Sequence, residues 1–213
     1  MPIRGRTPKE CFDQFGTHVR ELVSAVLGPE HHVTISQGAD PLQRDMQLGP
    51  RGVDYVQLAT HGAGEPDGAV YFSLAQDLSV FKIEDGRYQL KTRQYWYKVF
   101  DVQPDLDDEP LFRWEYQSEV PIGKQWCRHH FQIGKISDDG KPRRAIMLKL
   151  GNAQIDLNRV HTPTGFMLME YVFRFLFTEL KVVTPAADWE ARLVESEGAF
   201  FSKFSAKTAT PTP

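Results

Sequence analysis

A chain of 213 residues and 24.4 kDa has the size of one domain, because a single hydrophobic core keeps growing up to about 250 residues. With 41% hydrophobic and 25% charged residues, the composition excludes a wholly disordered chain, a collagen-like repeat and a disulfide-dense miniature scaffold. Its 25 Lys and Arg against 28 Asp and Glu leave a formal charge of -3, so whole-molecule attraction to nucleic acid or anionic membrane is not implied and any polyanion site has to be local.

The first element starts at Thr7, where Thr7-Pro8-Lys9-Glu10 reads as an N-cap, a proline at the first helical position and a capping-box glutamate. Phe12, Phe15, Val19, Leu22, Val23 and Val26 then recur at helical spacing, and Gly28-Pro29 ends the helix after Leu27. Between 32 and 160 the period changes to two, with short runs rich in Val, Ile, Tyr, Phe and Trp separated by Gly, Pro and Asp. Strands are expected over 32–36, 54–60, 69–75, 79–84, 88–102, 111–119, 126–136 and 145–160, the last broken near Gly151-Asn152. Connections such as Glu84-Asp85-Gly86 and Asp138-Asp139-Gly140 are too short for parallel crossovers, so neighbours should run antiparallel.

Helix is expected again from Thr164-Gly165, with 166–180 apolar nearly all round and polar only at Glu170, Arg174, Thr178 and Lys181, which implies burial on most sides. Thr184-Pro185 repeats the cap-plus-proline start ahead of an amphipathic helix anchored by Trp189, Leu193, Phe200 and Phe204. The expected fold class is α+β: a mainly antiparallel β-sheet with one N-terminal helix and two C-terminal helices. Residues 1–204 form a single domain, and the Thr/Pro/Ala-rich segment 205–213 is a disordered tail. Cys11 and Cys127 fit no CxxC or Cys/His metal spacing, and no run approaches the roughly 20 apolar residues that span a bilayer. These features point to reduced thiols in a cytoplasmic protein with no metal and no cofactor.

The chemistry-bearing residues concentrate on three expected strands and one junction. In Arg128-His129-His130-Phe131-Gln132 successive side chains point to opposite faces, which puts His129 in the apolar row and His130, with Arg128 and Gln132, in the polar row facing solvent or a site. On 111–119, Phe112, Trp114 and Tyr116 share one face while Arg113 and Glu115 share the other. An Arg and a carboxylate two apart, beside Arg128 and His130, have the capacity for phosphate binding and general acid-base work, and equally that of a cross-strand ion-pair ladder worth about 0.2–1 kcal/mol per pair. Lys91, Arg93, Tyr95 and Tyr97, with Lys98 on the other parity, combine cations with aromatic faces, a pairing that suits nucleic acid or any half-buried strand. His161, just before the expected helix at Thr164, lies where an N-terminal dipole end would favour an anion, or is simply a loop residue. No GxSxG elbow, Walker sequence, glycine-rich phosphate loop or HExxH string is present.

The order Leu90-Lys91-Thr92-Arg93-Gln94-Tyr95-Trp96-Tyr97, then Leu111-Phe112-Arg113-Trp114-Glu115, then Arg128-His129-His130, then His161-Thr162-Pro163-Thr164, resembles the TumE-type toxins of bacterial toxin-antitoxin pairs across roughly residues 88–180. The resemblance implies a ribonuclease encoded beside a cognate antitoxin protein, with Arg113, His129 and His130 at the site and RNA as substrate. It departs from that family's pattern after Arg113, where Trp114-Glu115-Tyr116 stands in place of an acidic-asparagine string and no histidine stands between Tyr116 and His129. The site this sequence supports has His130, His129, Arg113 and Glu115 in catalysis, and Arg128, Lys91, Arg93, Tyr97 and His161 in substrate binding. In it a histidine takes the 2′-hydroxyl proton, a second acid protonates the leaving 5′-oxygen and an arginine stabilises the charged phosphorane. The alternative is a non-catalytic β-sheet protein that binds a partner protein.

Overall fold

The computed structural model describes residues 3–38, 40–49, 53, 55–61, 68–105, 109–118, 129–134, 136–138, 141–144, 147–150, 153–156 and 162–204. Helix α1 (Pro8–Leu27) begins as the capping box requires: Thr7 Oγ1 accepts the Glu10 N–H at 3.2 Å, and the Glu10 carboxylate reaches back to the Arg6 N–H at 2.6 Å. Its stripe of Phe12, Phe15, Val19, Leu22, Val23 and Val26 is buried against the sheet and against the last helix.

Nine strands form one sheet in which every pairing is antiparallel. Its strands are β1 (Arg4–Gly5), β2 (Val33–Gln37), β3 (Gln43–Leu48), β4 (Val56–Thr60), β5 (Gly68–Lys82), β6 (Tyr88–Phe100), β7 (Phe112–Gln117), β8 (His129–Ile133) and, near the end of the chain, β13 (Thr162–Pro163). The spatial order is β13-β8-β7-β6-β5-β3-β2, with β1 on β6 and β4 on β5. Two separate two-stranded ribbons pair β9 (Ile136–Asp138) with β10 (Lys141–Arg144) and β11 (Met147–Leu150) with β12 (Ala153–Asp156). Helices α2 (Met169–Thr178) and α3 (Trp189–Phe204) follow, giving the α+β arrangement of one N-terminal and two C-terminal helices.

Four local expectations are corrected. The two strands expected over 69–75 and 79–84 are the single fifteen-residue β5, whose buried positions alternate without a break from Phe72 to Val80. Gln76 interrupts the apolar pattern at an inward position, but its amide donates to the Tyr97 hydroxyl at 2.7 Å and the strand continues. The strand β3 over 43–48 is not among those expected; Arg44 stands at an inward position opposite Leu78, where its guanidinium lies 4.8 Å above the centre of the Phe12 ring. The helix expected from Thr164 starts at Met169 instead: Thr162 and Pro163 pair with β8, and the Thr164 N–H continues that pairing to the His129 carbonyl at 3.1 Å. Thr184-Pro185 does not start α3, since Thr184 Oγ1 donates at 2.7 Å to the carbonyl of Val26, one of the orphan acceptors at the end of α1.

One face of the sheet carries the helices. Phe72, Leu74, Tyr97 and Val99 are buried there beneath Val172, Phe173 and Leu176 of α2, with the Phe72 and Phe173 rings 6.0 Å apart. Leu180 is half-buried, whereas Phe173, Leu176 and Phe177 are buried as expected. Glu170, read as part of a polar stripe, is buried at 1% exposure. Leu193 fastens α3 and Trp189 packs edge-on against Phe177; the side chains of Phe200 and Phe204 and the segment 205–213 lie outside the described residues.

Candidate functional site

The other face of the sheet is polar. Register between β6, β7 and β8 lines up Trp96, Glu115 and His130 in one cross-strand row and Lys98, Arg113 and Gln132 in the next. Because side chains alternate, the intervening residues make the aromatic rows Tyr95, Tyr116 and His129, and Tyr97, Trp114 and Phe131, on the helix-bearing side. Arg113, Glu115 and His130 therefore share a face and His129 does not.

Both oxygens of Glu115 are engaged. Its Oε2 lies 3.0 Å from His130 Nε2 and its Oε1 lies 3.2 Å from Arg113 Nε, while Arg113 Nη2 donates to Gln132 Oε1. Burial pushes the Glu115 carboxyl up, but the His130 hydrogen bond and the Arg113 charge, helped by Lys98, outweigh it and hold the group below its ordinary value. Glu115 is thus an ionised acceptor at neutral pH, which fixes His130 Nε2 as the proton-bearing nitrogen. His130 is only 7% exposed rather than solvent-facing, because it sits between Glu115 on one neighbouring strand and Pro163 on the other. Beside Arg113 a cavity of about 40 Å³ is lined by Glu109, Pro110, Arg113, Gln132 and Gly134. That is room for a water rather than for a nucleotide.

The remaining expected site residues are not brought to this point. His129 stacks on Tyr116 with ring centres 4.3 Å apart and meets Phe166 edge-on, so it belongs to the aromatic layer on the helix-bearing side. Tyr97 is 1% exposed and bonded to Gln76, which leaves no aromatic face for a base. Its expected parity with Lys91 and Arg93 fails because β6 carries a bulge: Asp77 pairs with Gln94 and Leu78 with Thr92, so Arg93 is the extra residue and the strand changes phase there. Lys91 is exposed, and the Arg93 charge acts on Asp77. Arg128 and His161 lie outside the described residues.

The site gains Lys98, Gln132 and the half-buried Trp96. Lys98, on the parity opposite Tyr97, comes beside Arg113 through the pairing of β6 with β7, which the sequence alone does not register. Further along the same face Asp45 and Asp77 stand opposite each other on β3 and β5, and burial together with the neighbouring Asp45 pushes the Asp77 carboxyl up against the pull of Arg93.

No family model, curated protein or solved structure matches the chain. Among the described residues, no group of three His, Cys, Asp or Glu side chains is placed to hold a metal ion, and no helix is long and apolar enough to cross a membrane. The Arg113–Glu115–His130 row unites an anion-binding cation, an ionised carboxylate and an imidazole donor within hydrogen-bond reach. Such a set can bind a phosphate and move protons on either side of it.

Proposed function

We propose that the polar face of the sheet is a metal-independent ribonuclease site of the toxin type, acting on RNA and held in check by a cognate antitoxin protein. The observation that supports this reading is the linked Arg113–Glu115–His130 row, at 3.2 and 3.0 Å, on one face of β7 and β8. Ionised Glu115 takes the proton of an attacking 2′-hydroxyl and the Arg113 guanidinium meets the charge growing on the phosphorane oxygens. The O2′–P bond forms, the P–O5′ bond breaks, and His130 gives a proton to the leaving 5′-oxygen. The phosphate displaces Gln132 from Arg113, and Lys98 in the same row adds a second cation.

Induced expression of the wild type in a bacterium, with growth and total RNA followed, tests the reading. Arrested growth with fragmented RNA is expected, with both effects lost in Arg113→Ala.

One observation favours a second reading, a non-catalytic sheet that binds a partner protein: His130 is buried, and the adjoining cavity is only about 40 Å³. Under that reading the row is a cross-strand ladder. Harmless expression and intact RNA would put this reading in place of the first.

A further inference from the structure

A second polar cluster lies on the opposite side of the sheet, where the three helices meet. Ser196 of α3 donates its hydroxyl to Glu170 Oε1 of α2 at 2.6 Å, and His18 of α1 brings Nε2 within 3.3 Å of the same hydroxyl and 3.9 Å of the carboxylate. All three are nearly sealed: Glu170 is 1% exposed, Ser196 is 8% exposed and the His18 side chain is 12% exposed. The carboxylate meets the serine hydroxyl rather than the far nitrogen of the ring, so the arrangement does not deprotonate Ser196 and is not a hydrolase triad. Glu170 Oε2 has no hydrogen-bond partner. A fully ionised carboxylate with one bare oxygen in that place is strongly disfavoured unless a proton or a countercharge accompanies it.

We propose that the His18–Ser196–Glu170 cluster is a proton-held latch that fastens α3 to α1 and α2, closed while the cluster holds one proton and released when that proton leaves. The proton rests on Glu170, whose burial favours the uncharged carboxyl. Once it departs, the remaining carboxylate gains hydration only if α3 lifts, because Ser196 of α3 covers it.

The groups facing Glu170 from each neighbouring element are His18 on α1, Ser196 and Glu197 on α3, Arg174 and Tyr171 on α2, and Tyr97 on β6. Burial pushes the Glu170 carboxyl up, the Ser196 bond opposes it, and Glu197 and Arg174 act in opposite senses. Around His18, a cavity of about 360 Å³ between α1 and α3 brings Glu21, Arg192 and Glu195 to its rim and gives solvent a path as far as His18 and Ser196, while Glu170 stays covered. Among the described residues α3 is also tied by Leu193, by the Trp189 ring on Phe177, by bonds from Tyr171 to Glu197 and from Arg174 to Glu190, and by the Arg174–Glu197 ion pair.

Hydrogen exchange of the full chain from about pH 5 to about pH 8 tests the latch, with α3 protection measured against β5 so that the intrinsic pH dependence of exchange cancels. The α3 opening constant is expected to rise about tenfold per pH unit between the ordinary glutamate value and the value Glu170 has in the fold, then level off. In Glu170→Gln the ratio should stay flat. A flat ratio in the wild type, or the same slope in Glu170→Gln, overturns the proposal. Should Glu170→Gln not fold, a carboxyl-carbon NMR titration of the wild type decides. A Glu170 midpoint above the ordinary value that coincides with α3 opening supports the latch, and an ordinary midpoint overturns it.

Discussion

Single residues on this sheet carry more than a polar surface implies. His130 was legible as a member of the polar row from strand parity alone, but its burial was not, because parity tells which face a side chain takes and not how tightly the neighbouring strand closes over it. Replacing it with Ala removes the bond to Glu115 and leaves a void, so His130→Ala should lower stability by about 1–3 kcal/mol in urea denaturation, rather than leave it unchanged. Tyr97 makes the converse case. Read from sequence it is an aromatic face for a base, yet its hydroxyl accepts from Gln76 in the interior. Tyr97→Phe should therefore cost about 1–3 kcal/mol by stranding a buried amide, and leave any RNA affinity untouched in a filter-binding assay. Its stacked neighbour Tyr95, pushed up to about 12 by burial, should ionise late in an ultraviolet titration at alkaline pH.

At the scale of elements, what the sequence made legible was period and punctuation. The capping box and Gly28 fix α1, and the apolar alternation locates β6, β7 and β8, because both signals are local, whereas the polar Gln76 split the single strand β5 into two expected ones. The boundaries that moved depend on distant partners: Thr164 was drawn into pairing with β8 and Thr184 onto the end of α1, and neither partner is near in sequence. The bulge at Arg93 is of the same kind, since only the pairing with Asp77 and Leu78 reveals the extra residue. Gly134 ties the site strands together through its N–H to the Leu111 carbonyl at 2.8 Å, and a Cβ there would stand 1.6 Å from the Pro110 carbonyl oxygen. Backbone cannot swing aside as a flexible side chain does. Gly134→Ala should lower stability by about 1–3 kcal/mol and weaken the Arg113–Gln132 contact, seen as a lower thermal midpoint together with a perturbed Arg113 side-chain NMR signal.

For the whole molecule, the half-buried and buried carboxylates titrate in opposite senses. Glu115 has its folded value below the ordinary 4.5, so it contributes stability above that value and loses it as pH falls through the depressed one. Glu170 and Asp77 have raised values, so their contribution is complete at low pH and is lost as pH rises through the raised values. Stability should accordingly fall on both sides of a mildly acidic maximum, and Glu170→Gln should remove part of the decline on the alkaline side in denaturation curves taken across pH. The helix-covered face holds the fold together, and the polar face is where the chemistry is proposed to occur. The measurement that tests this most directly is incubation of the purified chain with single-stranded RNA in excess EDTA, followed by mass analysis of the new 3′ ends. The account predicts 2′,3′-cyclic phosphate termini, with the rate reduced about 10²- to 10⁴-fold in Glu115→Gln and no cut where the 2′-hydroxyl is replaced by hydrogen. Intact RNA, cleavage that stops when metal is withdrawn, or an undiminished rate in Glu115→Gln would contradict it.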